Sequence, residues 1–206
     1  MKYIDLYKKL EKSQLYLFSV QDLCCLFPAE RKEILRQQIH YWKKHNWIRV
    51  LKNGVYEIVY PEKRNIPDLF IANKLYNPSY VSLETALSIY NIIPEVAMAV
   101  TSVTSKPTRE FKNSYGLFTY RTIKTKAFIG YRIIEENKFK IKIADPEKAL
   151  VDYIYFKLYD GQAVNIEDER FESLMLKKLK KARLYNYASH LNKRTYKTLK
   201  DIYAKL

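Results

Sequence analysis

The sequence is poor in the residues that most enzyme signatures are built from. Four glycines in 206 residues leave little for a loop that cradles phosphate, and no Gly-x-Ser-x-Gly, paired-Asp nucleotidyltransferase or His-Arg-Asp kinase pattern occurs. The two cysteines, Cys24 and Cys25, are adjacent and lack a second Cys or His pair at zinc spacing, so they are expected to be helix-packing residues. His40, His45 and His190 are scattered without ligand partners, which predicts surface roles, no bound metal and no cofactor. No window approaches the roughly 20 uncharged apolar residues of a membrane span. The first residues alternate charge (Lys2, Asp5, Lys8, Lys9) where a secretory leader has an apolar run, so the expectation is a cytoplasmic protein with no membrane partner.

Apolar material is abundant: 48% of residues are hydrophobic and 15% aromatic, including 19 tyrosines, enough for a folded core in two small domains. The formal charge of +15 favours polyanionic partners. It is unevenly spread. Residues 104–142 hold 10 basic and 3 acidic side chains, residues 143–176 hold 3 and 8, and residues 177–206 hold 10 and 1.

The chain predicts an α+β protein with an N-terminal winged helix-turn-helix, residues 1–62, followed by a mixed α+β domain with a basic helical C-terminal part, residues 63–206. Ile4, Leu6, Tyr7 and Leu10 give a first helix over 3–12 its apolar stripe. Ser19 is placed to cap a short second helix that ends before Pro28. A third helix over about 29–45 has Leu35, Ile39 and Trp42 on one face and Lys32, Arg36, Gln37, His40 and Lys43 on the other. Asn46 suits a left-handed cap. Two β-rich runs around Lys52-Asn53-Gly54 predict a hairpin in which both Asn53 and Gly54 accept positive φ. The prolines of 61–67 mark a connection. Beyond it, helices are expected at 68–75, 82–91 with Ser82 as cap, and 145–159 with Asp145 as cap and Pro146 in the first turn. Strands are expected at 80–81, 97–104, 116–123, 127–134 and 138–143, with three helices in 167–206.

Three helices and an Asn-Gly hairpin are the order of a winged helix-turn-helix, whose third helix enters the major groove while the wing reaches the backbone or minor groove. That reading makes Lys32, Arg36, Gln37, His40 and Lys43 base or phosphate contacts and puts Lys52 and Asn53 at the wing tip. A protein-docking winged helix has the same pattern.

The segment from Trp47 to Tyr56, with Arg49, Gly54 and Val55, resembles the hairpin of AbiEi-type regulators of abortive-infection (type IV) toxin-antitoxin systems. Three more segments resemble that family in the same order: Pro78 to Leu87 with Ile92-Ile93-Pro94-Glu95, Tyr115 to Tyr120, and Ile143 to Asp152. Asn46-Trp47 departs from the Gly-Leu pair usual before the wing. The resemblance implies a transcriptional autorepressor that binds an operator upstream of its own operon and acts in phage defence as antitoxin to a nucleotidyltransferase-like toxin. The alternative is a toxin-docking module without specific DNA binding.

Asp145, Glu147 and Asp152 beside Lys148 form the one tight carboxylate cluster. Their spacing fits a helix start and a local ion pair better than a metal or phosphoryl site, so no catalytic residue is assigned. The interleaved hydroxyls and cations of Ser102, Thr104, Ser105, Lys106, Thr108 and Arg109 suit an accessory backbone contact. Lys177, Lys178, Lys180, Lys181 and Arg183 are expected to touch nucleic acid or the toxin. Tyr115, Phe118 and Tyr120 suit either base stacking or one buried sheet face.

Overall fold

Leu6 and Leu10 lie one turn apart, and burying that stripe sets the first helix, α1 (Tyr3–Lys12). The computed structural model describes residues 2–61, 65–95, 97–165 and 168–206, and the chain divides into two units, 1–67 and 68–206. Of the connection expected at 61–67, residues 62–64 lie outside the described residues.

In the first unit α1 is followed by β1 (Leu17–Phe18), α2 (Val20–Leu26), α3 (Lys32–Lys44), β2 (Ile48–Lys52) and β3 (Val55–Ile58). The strands form an antiparallel sheet in the order β1, β3, β2. Ser19 caps α2 reciprocally: its Oγ accepts from the Asp22 amide at 3.2 Å, and the Asp22 carboxylate accepts from the Ser19 amide at 2.7 Å. Leu6, Leu10, Phe18, Leu23, Leu35, Ile39, Trp42 and Ile48 form one core.

Several expectations need correction here. Ile4 is half exposed, because two residues before Leu6 places it on nearly the opposite side of the helix. Cys24 packs against the core but Cys25 is exposed, since successive helical residues point about 100° apart. The third helix starts at Lys32, three residues later than expected. Asn46 has φ +58 as predicted, whereas in the hairpin turn only Gly54, at φ +82, enters the left-handed region. A register shift between Val50 and Lys52 absorbs the difference.

The second unit is built on a six-stranded mixed sheet. Its elements are α4 (Asp68–Leu75), β4 (Ser79–Val81), α5 (Leu83–Ile89), β5 (Ala99–Thr104), β6 (Arg109–Asn113), β7 (Gly116–Thr122), β8 (Tyr131–Glu136), β9 (Phe139–Ala144) and α6 (Pro146–Tyr159), followed by α7 (Ser173–Lys178), α8 (Lys181–Ser189) and α9 (Lys193–Ala204). The strand order is β6, β7, β5, β4, β9, β8. β4 runs parallel to β9 and β5 to β7, and the remaining pairs are antiparallel. Helix α6 is buried on nearly every side and packs against α5, α8 and α9, so that even Glu147, Lys148 and Asp152 lie inside the unit.

The strand expected from residue 127 begins at Tyr131, because Thr125–Ala127 forms a 3₁₀ turn and Gly130 takes φ +76. β6 falls where a loop was expected. Phe118 and Tyr120 are fully buried, and the Tyr120 hydroxyl donates to the Ala72 carbonyl at 2.7 Å, so those two rings belong to the sheet core and not to a base-stacking surface. Ser82 and Asp145 do precede helices, but neither side chain caps, because both are drawn into contacts with other elements. Among the described residues no helix is long and apolar enough to cross a membrane.

Candidate nucleic-acid interface

Helix α3 is positioned by Leu35, Ile39 and Trp42, which are buried, and this turns Lys32, Arg36, Gln37, His40 and Lys43 outward, all exposed. Glu33 in its first turn and Lys43 and Lys44 in its last complement the helix dipole. After His45 the left-handed Asn46 folds the chain back, and the Trp47 amide donates to the Trp42 carbonyl at 3.0 Å. The hairpin β2–β3 is thereby fixed beside the helix. Tyr3 secures the same corner, its hydroxyl donating to the Trp47 carbonyl at 3.0 Å and the Tyr60 carbonyl at 2.5 Å, and burial pushes that phenol well above its ordinary range. Tyr3 was not singled out from sequence, where a helix-start tyrosine has no distinguishing pattern.

Between α3 and the hairpin lies a cavity of about 250 Å³. Arg36, His40 and Lys43 line it from the helix and Asn53 from the turn, over Val50 and Tyr56. The structure thus gathers four of the seven predicted contact residues into one concavity. Lys32 and Gln37 stand exposed on the same helix outside it, and Lys52 is half-buried on β2. The arrangement offers charged and amide donors at the rim and an apolar floor, a chemistry that suits phosphate oxygens and base edges.

The residues of the second unit are distributed differently. Lys106 lies just beyond β5 with Nζ 5.5 Å from the Tyr76 ring centre, and Arg109 is exposed at the start of β6. Of the hydroxyls expected beside them, Ser102 and Thr104 are buried, Thr104 donating to the Pro78 carbonyl at 2.6 Å, whereas Thr108 is exposed and lies 3.0 Å from the Thr122 hydroxyl. Lys177 and Lys178 end α7, and Lys180 and Lys181 open α8, all four exposed. The Arg183 guanidinium is engaged by Asp145 and lies 3.5 Å from Glu147.

The carboxylate cluster separates into two networks. Asp145 accepts from Arg183 and from the Tyr187 hydroxyl, and the Arg132 guanidinium approaches it at 4.0 Å. Asp152 is fully buried with Lys148 at 2.5 Å and accepts from the hydroxyls of Tyr80 and Ser82, each at 3.0 Å. Burial raises the Asp152 carboxyl above its ordinary range even against the adjacent ammonium, and raises the Tyr80 phenol further. Both networks join helices to the sheet, while Glu147 accepts from the Lys180 amide through Oε1 and leaves its buried Oε2 without a hydrogen bond, 3.5 Å from the Arg183 guanidinium; no group of three or more metal-ligating side chains occurs among the described residues. Arg132 and Tyr187 escaped sequence reading because their partner, Asp145, is distant in the chain.

The larger cavity, about 620 Å³, lies where β5 to β7 meet α5 and α6. Its most ordered feature is Arg121, which donates to both oxygens of Asp160 at 2.9 and 2.8 Å and lies over the Phe156 ring. Its positive and negative side chains balance, so it carries no charge preference. No protein-family model matches the chain, and no curated protein matches it.

Proposed function

We propose that the chain is a DNA-binding transcriptional regulator whose first unit is a winged helix-turn-helix, with α3 entering the major groove and the β2–β3 hairpin serving as wing. The observation that carries this reading is the shared concavity of Arg36, His40, Lys43 and Asn53, formed by a helix and a hairpin that the core holds in place. On the sequence resemblance to AbiEi-type regulators, the operator lies upstream of the protein's own operon, and the chain acts as antitoxin to a nucleotidyltransferase-like toxin. A gel shift with that upstream region is the direct test. Arg36→Ala and His40→Ala should each weaken specific binding by roughly 1 to 3 kcal/mol, the worth of a base contact, with circular dichroism unchanged. Unaltered affinity in both would reduce α3 to a solvated face and leave toxin docking as the function. Growth rescue on co-expression with the neighbouring reading frame tests the antitoxin half separately.

A further inference from the structure

The richest concentration of charge lies outside the proposed interface. Residues 177–206 hold ten basic side chains and a single acidic one, Asp201. Helix α9 sorts them. Thr195, Leu199, Ile202 and Tyr203 are buried against the second unit, while Lys193, Lys197 and Lys200 are exposed at spacings of four and three residues, which puts them in one stripe spanning roughly 10 Å. Asp201 is turned to the flank, where it lines a separate cavity of about 320 Å³ with Arg194 and Lys205. Asp201 follows Lys197 by one turn, so the stripe carries three lysines against a single acid at its edge.

The helix is held firmly. Asn192 accepts from the Thr195 amide at 2.7 Å, Arg194 donates to the Leu158 carbonyl at 3.2 Å, and the Tyr203 hydroxyl donates to the Leu176 carbonyl at 3.0 Å. The lysines also sit where they are unfavourable for the helix itself. Lys193 occupies the positive end of the dipole, and Lys193 and Lys197 repel across one turn.

From this geometry we infer that α9 is a second, sequence-independent nucleic-acid contact, with Lys193, Lys197 and Lys200 neutralising successive backbone phosphates. The inference does not rest on the α3 reading. Its partner class follows from what the stripe lacks. A protein interface needs aromatic or aliphatic anchors and is depleted in lysine, and the exposed positions of α9 carry none. An amphipathic membrane helix needs a free apolar face, and that of α9 is buried in the unit.

The test uses the full chain and a random-sequence DNA duplex, with binding read by fluorescence anisotropy over a salt series. Lys193→Gln/Lys197→Gln/Lys200→Gln should weaken binding at low salt and flatten the slope of log affinity against log salt by about 0.9 for each lysine that meets a phosphate. The matched triple Lys112→Gln/Lys138→Gln/Lys140→Gln, which removes equal charge from other exposed positions, should leave the slope near wild type. Arg36→Ala/His40→Ala in the same assay should leave the α9-dependent part of the slope in place, even if operator binding proves absent. An unchanged slope in the α9 triple, or an equal fall in both triples, overturns the proposal. So does an α9 triple that loses binding to polyglutamate or to phosphatidylserine vesicles while keeping wild-type duplex binding.

Discussion

Asp145 shows how a residue placed for one role is taken by another. Its backbone opens α6 in the extended conformation of an N-cap, yet its carboxylate is turned to Arg183 and Tyr187 on α8 and to Arg132 on β8. A lost cap costs about 1 kcal/mol, whereas hydrogen bonds to a charged group contribute roughly 1.5 to 3. Asp145→Ala is accordingly expected to lower stability by about 2 kcal/mol in urea unfolding. A double-mutant cycle with Arg183→Ala should return a coupling of at least about 1 kcal/mol, and a coupling near zero would restore the simple cap. Asp160 offers a titration test. The two hydrogen bonds from Arg121 hold its carboxyl below the ordinary value of 3.8. A depressed carboxyl contributes stability above its unfolded value and loses it as pH falls through the folded one. The pair is partly exposed, so the contribution is under about 1 kcal/mol. In Arg121→Gln the Asp160 carboxyl, followed by NMR, should titrate back near its ordinary value, and the stability gap to wild type at neutral pH should close as pH falls through the depressed folded value.

At the scale of elements, the hairpin beside α3 depends on one backbone conformation. Gly54 has φ +82, and a Cβ added there would meet nothing within 4 Å, so only backbone strain opposes a larger residue. Gly54→Ala should therefore cost about 1 to 2 kcal/mol, the left-handed penalty of an L-residue, and should loosen the position of Asn53. The measurement is thermal unfolding beside operator affinity. A variant as stable as wild type would mean the turn has another accessible form. Gly130 differs, because its added Cβ would lie 2.7 Å from the Tyr187 ring and would disturb the Asp145 network as well as the backbone. The buried pair of Lys148 and Asp152 ties α6 to β4 through Tyr80 and to the start of α5 through Ser82. Removing one partner of such a pair is far more disruptive than replacing both, since it leaves a buried charge uncompensated.

For the whole molecule, the division after Pro67 leaves each part with its own apolar core, the first around Leu35, Ile39 and Trp42 and the second around Tyr120, Ile143, Leu150 and Ile154. Residues 68–206 produced alone should thus unfold cooperatively on heating, as expected of a unit with a core of its own. A broad, non-cooperative melt of that fragment would show that the units fold only together. The fragment also isolates the α9 stripe from α3.

Local periodicity and turn chemistry determined much of this protein from sequence alone. The bounds of α1 and α4, the Ser19 cap, the core face of α3, the left-handed Asn46 and Pro146 in the first turn of α6 all depend on interactions within a few residues, which the chain order records. The concavity between α3 and the hairpin was legible as two elements, but which residues share it was not: Gln37 and Lys52 have the same composition signal as Arg36 and Asn53 and lie elsewhere. β1 and β6 escaped because two residues show no period and the Arg109–Asn113 edge strand carries a single apolar side chain, Phe111, among polar ones. The lysine stripe of α9 escaped because a basic tail reads as one charge block until the helix faces are known. Only the tertiary structure could take Ser82 and Asp145 from their helix starts and give them to Asp152 and Arg183, because a buried charge finds its partner by proximity in space, and sequence separations of 70 and 38 residues leave no local trace of it.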